Sequence, residues 1–265
     1  MSDYFLAIIL AVIQGLTEFL PISSSAHLLF PTLVFGTNDL GLLFDVATHL
    51  GTLLAVITYF RKDLVEIFTA WCPGLKNNEQ RFNEGLMLIV GTLPIVIIGL
   101  FLRDYFYVRP SLDGIAYANL IFAGLLLGAF LISSKNKSYA EITLLSALVI
   151  GLFQICALFP GASRSGMAIT GALFMGLSLK SGSKFAFLLS IPTILASLIL
   201  LLFNELGSIS ITEIYLILIG ISVSAFIAFF TIKYFLKFVN HIGMVPFVIY
   251  RIVLGAVILM ILTLI

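Results

Sequence analysis

Two short clusters hold most of the side chains in this sequence that could do chemistry. The first reads Gln14-x-x-x-Glu18-x-x-Pro21-x-Ser23-Ser24-Ser25-x-His27. Gln14 and Glu18, four residues apart, share one helix face. Pro21 ends that helix, and the serines stand where the next one needs a cap. His27 follows Ser24 by one turn on the same face. A carboxylate, hydroxyls and an imidazole so placed can orient a nucleophile and take or give its proton. The second cluster reads Pro160-Gly161-Ala162-Ser163-Arg164-Ser165-Gly166. Its glycines let the backbone approach a ligand closely. A helix predicted over 165–176 aims free N–H groups into the same space, and Arg164 offers a fork of donors matched to phosphate oxygens. These are the parts of a phosphate cradle. The plainer reading is a pair of helix caps, a core histidine, and Arg164 as a buried partner for Glu18.

The elements that must position these residues follow from composition. Of 265 residues, 61% are hydrophobic and only 10% are charged, against about 25% charged in an ordinary soluble domain. Too few charges exist to cover a water-facing surface, so the chain is expected to lie in the lipid bilayer. A net charge of +1 offers no basic surface for phosphates, and nucleic acid is excluded as a natural partner. The two cysteines, Cys72 and Cys156, are expected as free thiols. Met1-Ser2-Asp3 precedes the first apolar run without a basic n-region or a small-residue cleavage site, so no removable signal peptide is expected.

Six segments are apolar enough for about 20 residues to cross the hydrocarbon core: 42–60, 86–102, 114–133, 184–203, 212–238 and 245–265. Residues 4–36 and 142–178 are also apolar but are broken midway by the two clusters. Broken backbone at membrane depth is tolerated only beside protein or a polar cavity, so both stretches are expected as re-entrant hairpins. A shift of 139 residues puts Pro21 on Pro160, Ser24 on Ser163 and Ser25 on Arg164. Each half then has one hairpin and three crossings, and an odd number of crossings inverts the second half. The expected fold is an all-α polytopic membrane protein with six transmembrane helices and two re-entrant hairpins in an inverted-topology repeat. It forms one membrane domain over 1–265, with halves 1–133 and 142–265. Such a repeat places its site at the interface of the halves near the midplane. One side of the membrane receives Arg61, Lys62, Lys76, Arg81, Lys135, Lys137, Lys180, Lys184, Lys233 and Lys237, the other only Arg103 and Arg109. By the positive-inside bias, both termini and the opening of the site face outward.

Other polar residues carry weaker signals. Asp45 and His49 share a face, but the outer end of a crossing is an ordinary place for polar groups. Lys180 and Lys184 are expected to snorkel. Asn119, Thr193 and Arg251 fit either a cavity or interhelical hydrogen bonding, and the phenylalanines fit packing and lipid contact.

Residues 14–27 resemble the (E/Q)xxxE motif and following Ser/His stretch of the undecaprenyl-diphosphatase family, and Pro160–Ser165 resembles that family's PGxSRSxxT motif. The likeness spans the chain. One departure is that the motif's threonine falls on Ala168, with Thr170 two residues on. The resemblance implies hydrolysis of undecaprenyl diphosphate to the monophosphate in the bacterial cytoplasmic membrane, recycling the carrier for peptidoglycan and other envelope polymers. It also implies reduced sensitivity to bacitracin and a divalent cation, magnesium or calcium. Catalysis is expected from Glu18, His27, Ser24 and Arg164. Substrate phosphate is expected at Gln14, Ser23, Gly161, Ser163, Arg164, Ser165 and Thr170, and the metal at Glu18 and Gln14. The partners are a polyprenyl diphosphate lipid, the bilayer and, as a candidate, a second copy in a homodimer. Whether Ser24 or a water attacks stays open. So does a rival of another class, a polyprenyl-phosphate translocase or other inverted-repeat transporter, because broken helices are also a transporter signature.

Overall fold

Broken hydrophobic runs become helix pairs, and unbroken ones become long helices. The computed structural model describes residues 3–72, 78–102, 111–135, 141–202 and 211–264. Lys76, Arg103, Arg109 and Lys137, used above for orientation, lie outside them. In chain order the helices are α1 (Asp3–Thr17), α2 (Ser24–Phe35), α3 (Leu42–Tyr59), α4 (Arg61–Trp71), α5 (Glu79–Phe101), α6 (Leu112–Lys135), α7 (Leu144–Ile155), α8 (Arg164–Phe174), α9 (Leu179–Leu202), α10 (Ile211–Ile242) and α11 (Val245–Leu264). A 3-10 turn, Cys156–Leu158, follows α7. Helices α3, α5, α6, α9, α10 and α11 are long and apolar enough to cross a membrane, at the six expected places. Helices α1, α2, α7 and α8 are each 11 to 15 residues, short of the length a crossing needs. Both cysteines are free thiols.

Helical structure between α3 and α5 exceeds what the apolar windows mark. The polar connection after α3 contains α4, and α5 begins well ahead of its apolar window. Their charges explain both. Arg81 at the start of α5 pairs with Asp63 at 3.2 Å and Glu66 at 2.6 Å on α4, while Lys184 of α9 reaches Asp63 at 2.6 Å. Lys184 is therefore clasped as well as partly exposed. Partial burial would raise the Asp63 carboxyl, but Lys184 and Arg81 outweigh it and hold the group below its ordinary range. Trp71 stacks on Phe82 at 4.7 Å and closes the α4–α5 corner.

Each hairpin packs on a long helix of the other half: α1 on α10, and α7 on α5. Small residues make these approaches and the crossing of α3 on α10 close. A Cβ on Gly51 of α3 would run into the Ile221 carbonyl and Ser224 Oγ of α10, and one on Gly151 of α7 would meet the Gly91 backbone of α5. In lipid, where apolar burial gives no advantage between helices, close packing of this kind holds a bundle together. Ser224 Oγ also donates to the Thr48 carbonyl at 2.9 Å and ties α10 to α3. Inside, Phe19 meets Phe187 edge to face at 5.2 Å, while Phe68, Phe101 and Phe226 are exposed.

Overpacking a close crossing costs about 1–3 kcal/mol. Gly51→Ala and Gly151→Ala should each lower the midpoint of thermal unfolding in detergent, while Gly124→Ala, whose Cβ meets nothing within 4 Å, should not. Equal midpoints for all three would show that these crossings do not limit stability.

Candidate active site

Two residues with left-handed backbone mark the site. Ser23 (φ 72°) and Ser163 (φ 70°) are the non-glycine residues with positive φ among the described residues. Such conformations persist only where surrounding structure holds them, and they cluster at functional sites. Each immediately precedes the second helix of its hairpin, α2 or α8. The two turns therefore correspond at an offset of 140 residues, not the 139 that aligning the prolines suggests. Ser23 answers to Ser163, Ser24 to Arg164 and Ser25 to Ser165; backbone conformation governs the correspondence.

The turns are latched to each other. Gly161 N–H donates to Ser25 Oγ at 3.3 Å, and Ser165 Oγ donates to the Leu20 carbonyl at 2.9 Å. Behind them lies the fully buried Arg251 of α11. Its guanidinium donates to Asn119 Oδ1 at 2.9 Å, to the Gly161 carbonyl at 2.9 Å and to the Pro21 carbonyl at 3.5 Å. Asn119 and Arg251 are thus interhelical scaffolding.

Glu18 is the hub. Its Oε1 takes a hydrogen-bonded ion pair from Arg164 Nη2. Its Oε2 accepts from Gln14 Nε2 at 2.9 Å and from Ser24 Oγ at 2.8 Å. Arg164 spends a second donor, Nη1, on the Ser190 carbonyl of α9 at 3.1 Å. Ser163 Oγ caps α8 by accepting from Gly166 N–H at 3.2 Å.

Glu18, Ser23, Ser24, Ser163 and Arg164 line one end of a cavity of about 420 Å³. Of the other residues expected at the site, Gln14 stands behind Glu18. Gly161 and Ser165 serve the latch. Thr170 is fully buried in α8 and donates to the Gly166 carbonyl at 2.7 Å, away from the cavity wall. His27 also stands apart: Nδ1 donates to the Ser23 carbonyl at 2.7 Å, and Nε2 meets the Tyr250 hydroxyl at 2.6 Å. The imidazole on the cavity wall is His49, with Asp45 one turn before it. Their spacing of four on one helix face is the sequence signal for this wall, although polar groups are ordinary at the outer end of a crossing. Thr193 and Ser197 of α9 line the cavity as well, while Ile95, Val96, Leu100, Ile194 and Leu198 make its far wall apolar.

The arrangement offers a carboxylate, hydroxyls, a guanidinium and a helix N-terminus at one end, and an apolar slot between α5 and α9 at the other. That defines a polytopic membrane protein with a buried carboxylate–guanidinium pair opening onto an apolar slot. The family model described as "Bacitracin resistance protein BacA" matches residues 7–257. Proteins named undecaprenyl-diphosphatase are similar over nearly their whole length. That of Alcanivorax borkumensis is 42% identical, with 97% of this chain and 98% of that protein covered. That of Saccharophagus degradans is 47% identical, with 96% of each covered, and that of Teredinibacter turnerae 44%, with 96% and 97% covered. The chain belongs to the bacitracin resistance protein family of multi-pass bacterial membrane proteins.

Arg164 contacts two partners on different elements, Glu18 and Ser190, which a single ammonium cannot reproduce. Arg164→Lys should retain the fold but lose most phosphatase activity. Near-wild-type phosphate release by Arg164→Lys would refute a role for the guanidinium fork.

Proposed function

We propose that this protein hydrolyses undecaprenyl diphosphate to undecaprenyl phosphate and inorganic phosphate. This returns the lipid carrier to peptidoglycan and envelope polymer synthesis and removes the diphosphate that bacitracin sequesters. The observation that carries the reading is the cavity itself: a Glu18–Arg164 pair with Ser24 at one end and an apolar slot running from it. A charged head and a polyprenyl chain need that combination. The name carried by relatives more than 40% identical agrees with it.

Phosphoryl transfer is mainly a matter of positioning and of neutralising developing charge. The Arg164 guanidinium and the N-terminus of α8 hold the terminal phosphate, and Glu18 steers the nucleophile. Two nucleophiles are available to this geometry. Ser24 Oγ has its proton directed at Glu18 Oε2, as serine attack needs; a water held beside the same carboxylate is the alternative.

A divalent cation fits the donors present. Glu18, the hydroxyls of Ser23 and Ser24, and Gln14 Oε1, which is buried without a hydrogen-bond partner, are all oxygen ligands of the kind magnesium and calcium take. Among the described residues no three His, Cys, Asp or Glu side chains gather into a cage. Glu18 and Gln14 would hold such an ion, and it would supply neutralisation of the phosphate charge.

Phosphate release from undecaprenyl diphosphate by purified protein, with and without chelator, tests the activity and the ion together. Wild type should release phosphate, and chelator should suppress it. Under serine attack, Ser24→Ala should lose at least about two orders of magnitude, as removal of a true nucleophile does, and a quenched wild-type reaction should contain phosphoserine. Ser24→Ala retaining more than about a tenth of wild-type turnover would leave water as the nucleophile.

The basic-residue asymmetry supports termini and a site opening on the outer face. In a variant without native cysteines, Ser2→Cys should react with an impermeant thiol reagent applied from outside and Asn77→Cys should not; the reverse pattern would invert the assigned orientation.

A further inference from the structure

His49 is the imidazole that faces the reaction space, and nothing assigned so far uses it. Its place on α3 is firmly held. Thr48 and Thr52, on either side of it, are fully buried, and the Thr48 carbonyl takes the Ser224 hydrogen bond from α10. The ring is fixed as well: His49 Nδ1 stands 2.7 Å from the Asp45 carbonyl. A carbonyl only accepts, so Nδ1 carries the hydrogen, and in the neutral ring Nε2 presents a lone pair.

That lone pair points at a second acceptor. Nε2 lies 3.8 Å from Glu18 Oε2, beyond direct hydrogen-bonding distance, and an ionised carboxylate oxygen has no hydrogen to give. Two acceptors facing each other across this gap call for one molecule with two donors, and water is that molecule. With one O–H directed at each acceptor, the lone pairs of the water project into the cavity, where Arg164 and the N-terminus of α8 gather phosphate oxygens.

We propose that His49 and Glu18 together hold and orient the water that attacks the terminal phosphorus, His49 Nε2 and Glu18 Oε2 each accepting one of its O–H bonds. The inference rests on the diphosphatase reading above and selects the water route within it. The water oxygen forms a bond to the terminal phosphorus. The bridging P–O bond breaks, and its electron pair leaves on the lipid monophosphate. Both hydrogens of the water depart on the inorganic phosphate, so His49 ends the turnover in the state in which it began. Ser24 then holds Glu18 Oε2 in place by its hydrogen bond and is not itself phosphorylated. His27, whose two ring nitrogens are engaged by Ser23 and Tyr250, takes no part in placing the water.

Steady-state kinetics of His49→Leu and His49→Gln on undecaprenyl diphosphate test the proposal, with thermal unfolding to confirm that each variant is folded. Leucine accepts no hydrogen bond, so kcat should fall about 100-fold, the scale expected for a misplaced reactant, while KM stays within about threefold. Glutamine, whose amide oxygen can accept, should recover at least about tenfold of that loss. A His49→Leu enzyme with kcat near wild type, or one altered in KM alone, would overturn the assignment. A second measurement needs no variant and no turnover. In wild-type protein, carbethoxylation of His49 by diethyl pyrocarbonate, read by mass spectrometry, should be slowed by methylenediphosphonate, while that of His27 should not. Absence of protection at His49 would also overturn it. Failure of wild type to release phosphate from the lipid would count against the diphosphatase reading, whereas the protection experiment reports on His49 beside a diphosphate group regardless.

Discussion

Everything in this structure is arranged around one buried ion pair between Glu18 and Arg164. Each partner comes from a different half of the chain, and each sits where a hydrophobic run is broken. Isolated, either charge would be costly to hold inside a bilayer. Together they are compensated only if the two turns are held at one separation, since a buried pair gives little when its geometry is poor. The polar residues around the two turns are explained by that requirement. Ser25 and Ser165 latch one turn to the other, and Arg251 takes a carbonyl from each. Gln14 and Ser190 occupy further hydrogen-bonding positions of the pair.

The exchanged packing of the halves serves the same end. Because α1 rests on α10 and α7 on α5, neither hairpin is supported by its own half alone. The turns are therefore fixed relative to each other by the whole bundle. Gln154 shows how the two turns differ in role. It occupies the position equivalent to Gln14 at the offset of 140, is equally buried, and bonds the Gly91 carbonyl at 3.2 Å. Four residues on, the counterpart of Glu18 is Leu158. One turn keeps the carboxylate and the other the guanidinium, and so a single pair forms.

A site of this composition suits a substrate that is itself part charged head and part hydrocarbon. The polar end concentrates charged and hydrogen-bonding groups where low dielectric strengthens their interactions. The slot between α5 and α9 is lined by Ile95, Val96, Ile194 and Leu198 and offers an isoprenoid chain surroundings like the bilayer it leaves. A water-soluble phosphate ester would gain nothing from that wall.

Much of this was determined by the sequence alone. Composition dictated a membrane protein, because 10% charged residues cannot cover a soluble surface. Unbroken apolar runs dictated six long helices, and Pro21, Pro160 and the serines dictated two breaks, since both are local effects of backbone chemistry. Glu18, Ser24 and Arg164 stood out because ionisable and hydroxyl groups are conspicuous against so apolar a background. Other features were decided only by tertiary structure. Which imidazole faces the cavity depends on the rotation of α2 and α3 about their own axes, set by distant contacts: Tyr250 draws His27 away, and Ser224 and Gly51 turn His49 inward. The register of the halves followed the left-handed backbone at Ser23 and Ser163, a conformation that residue type does not announce. The scaffolding role of Arg251 rests on partners up to 230 positions away, a separation that no local pattern encodes.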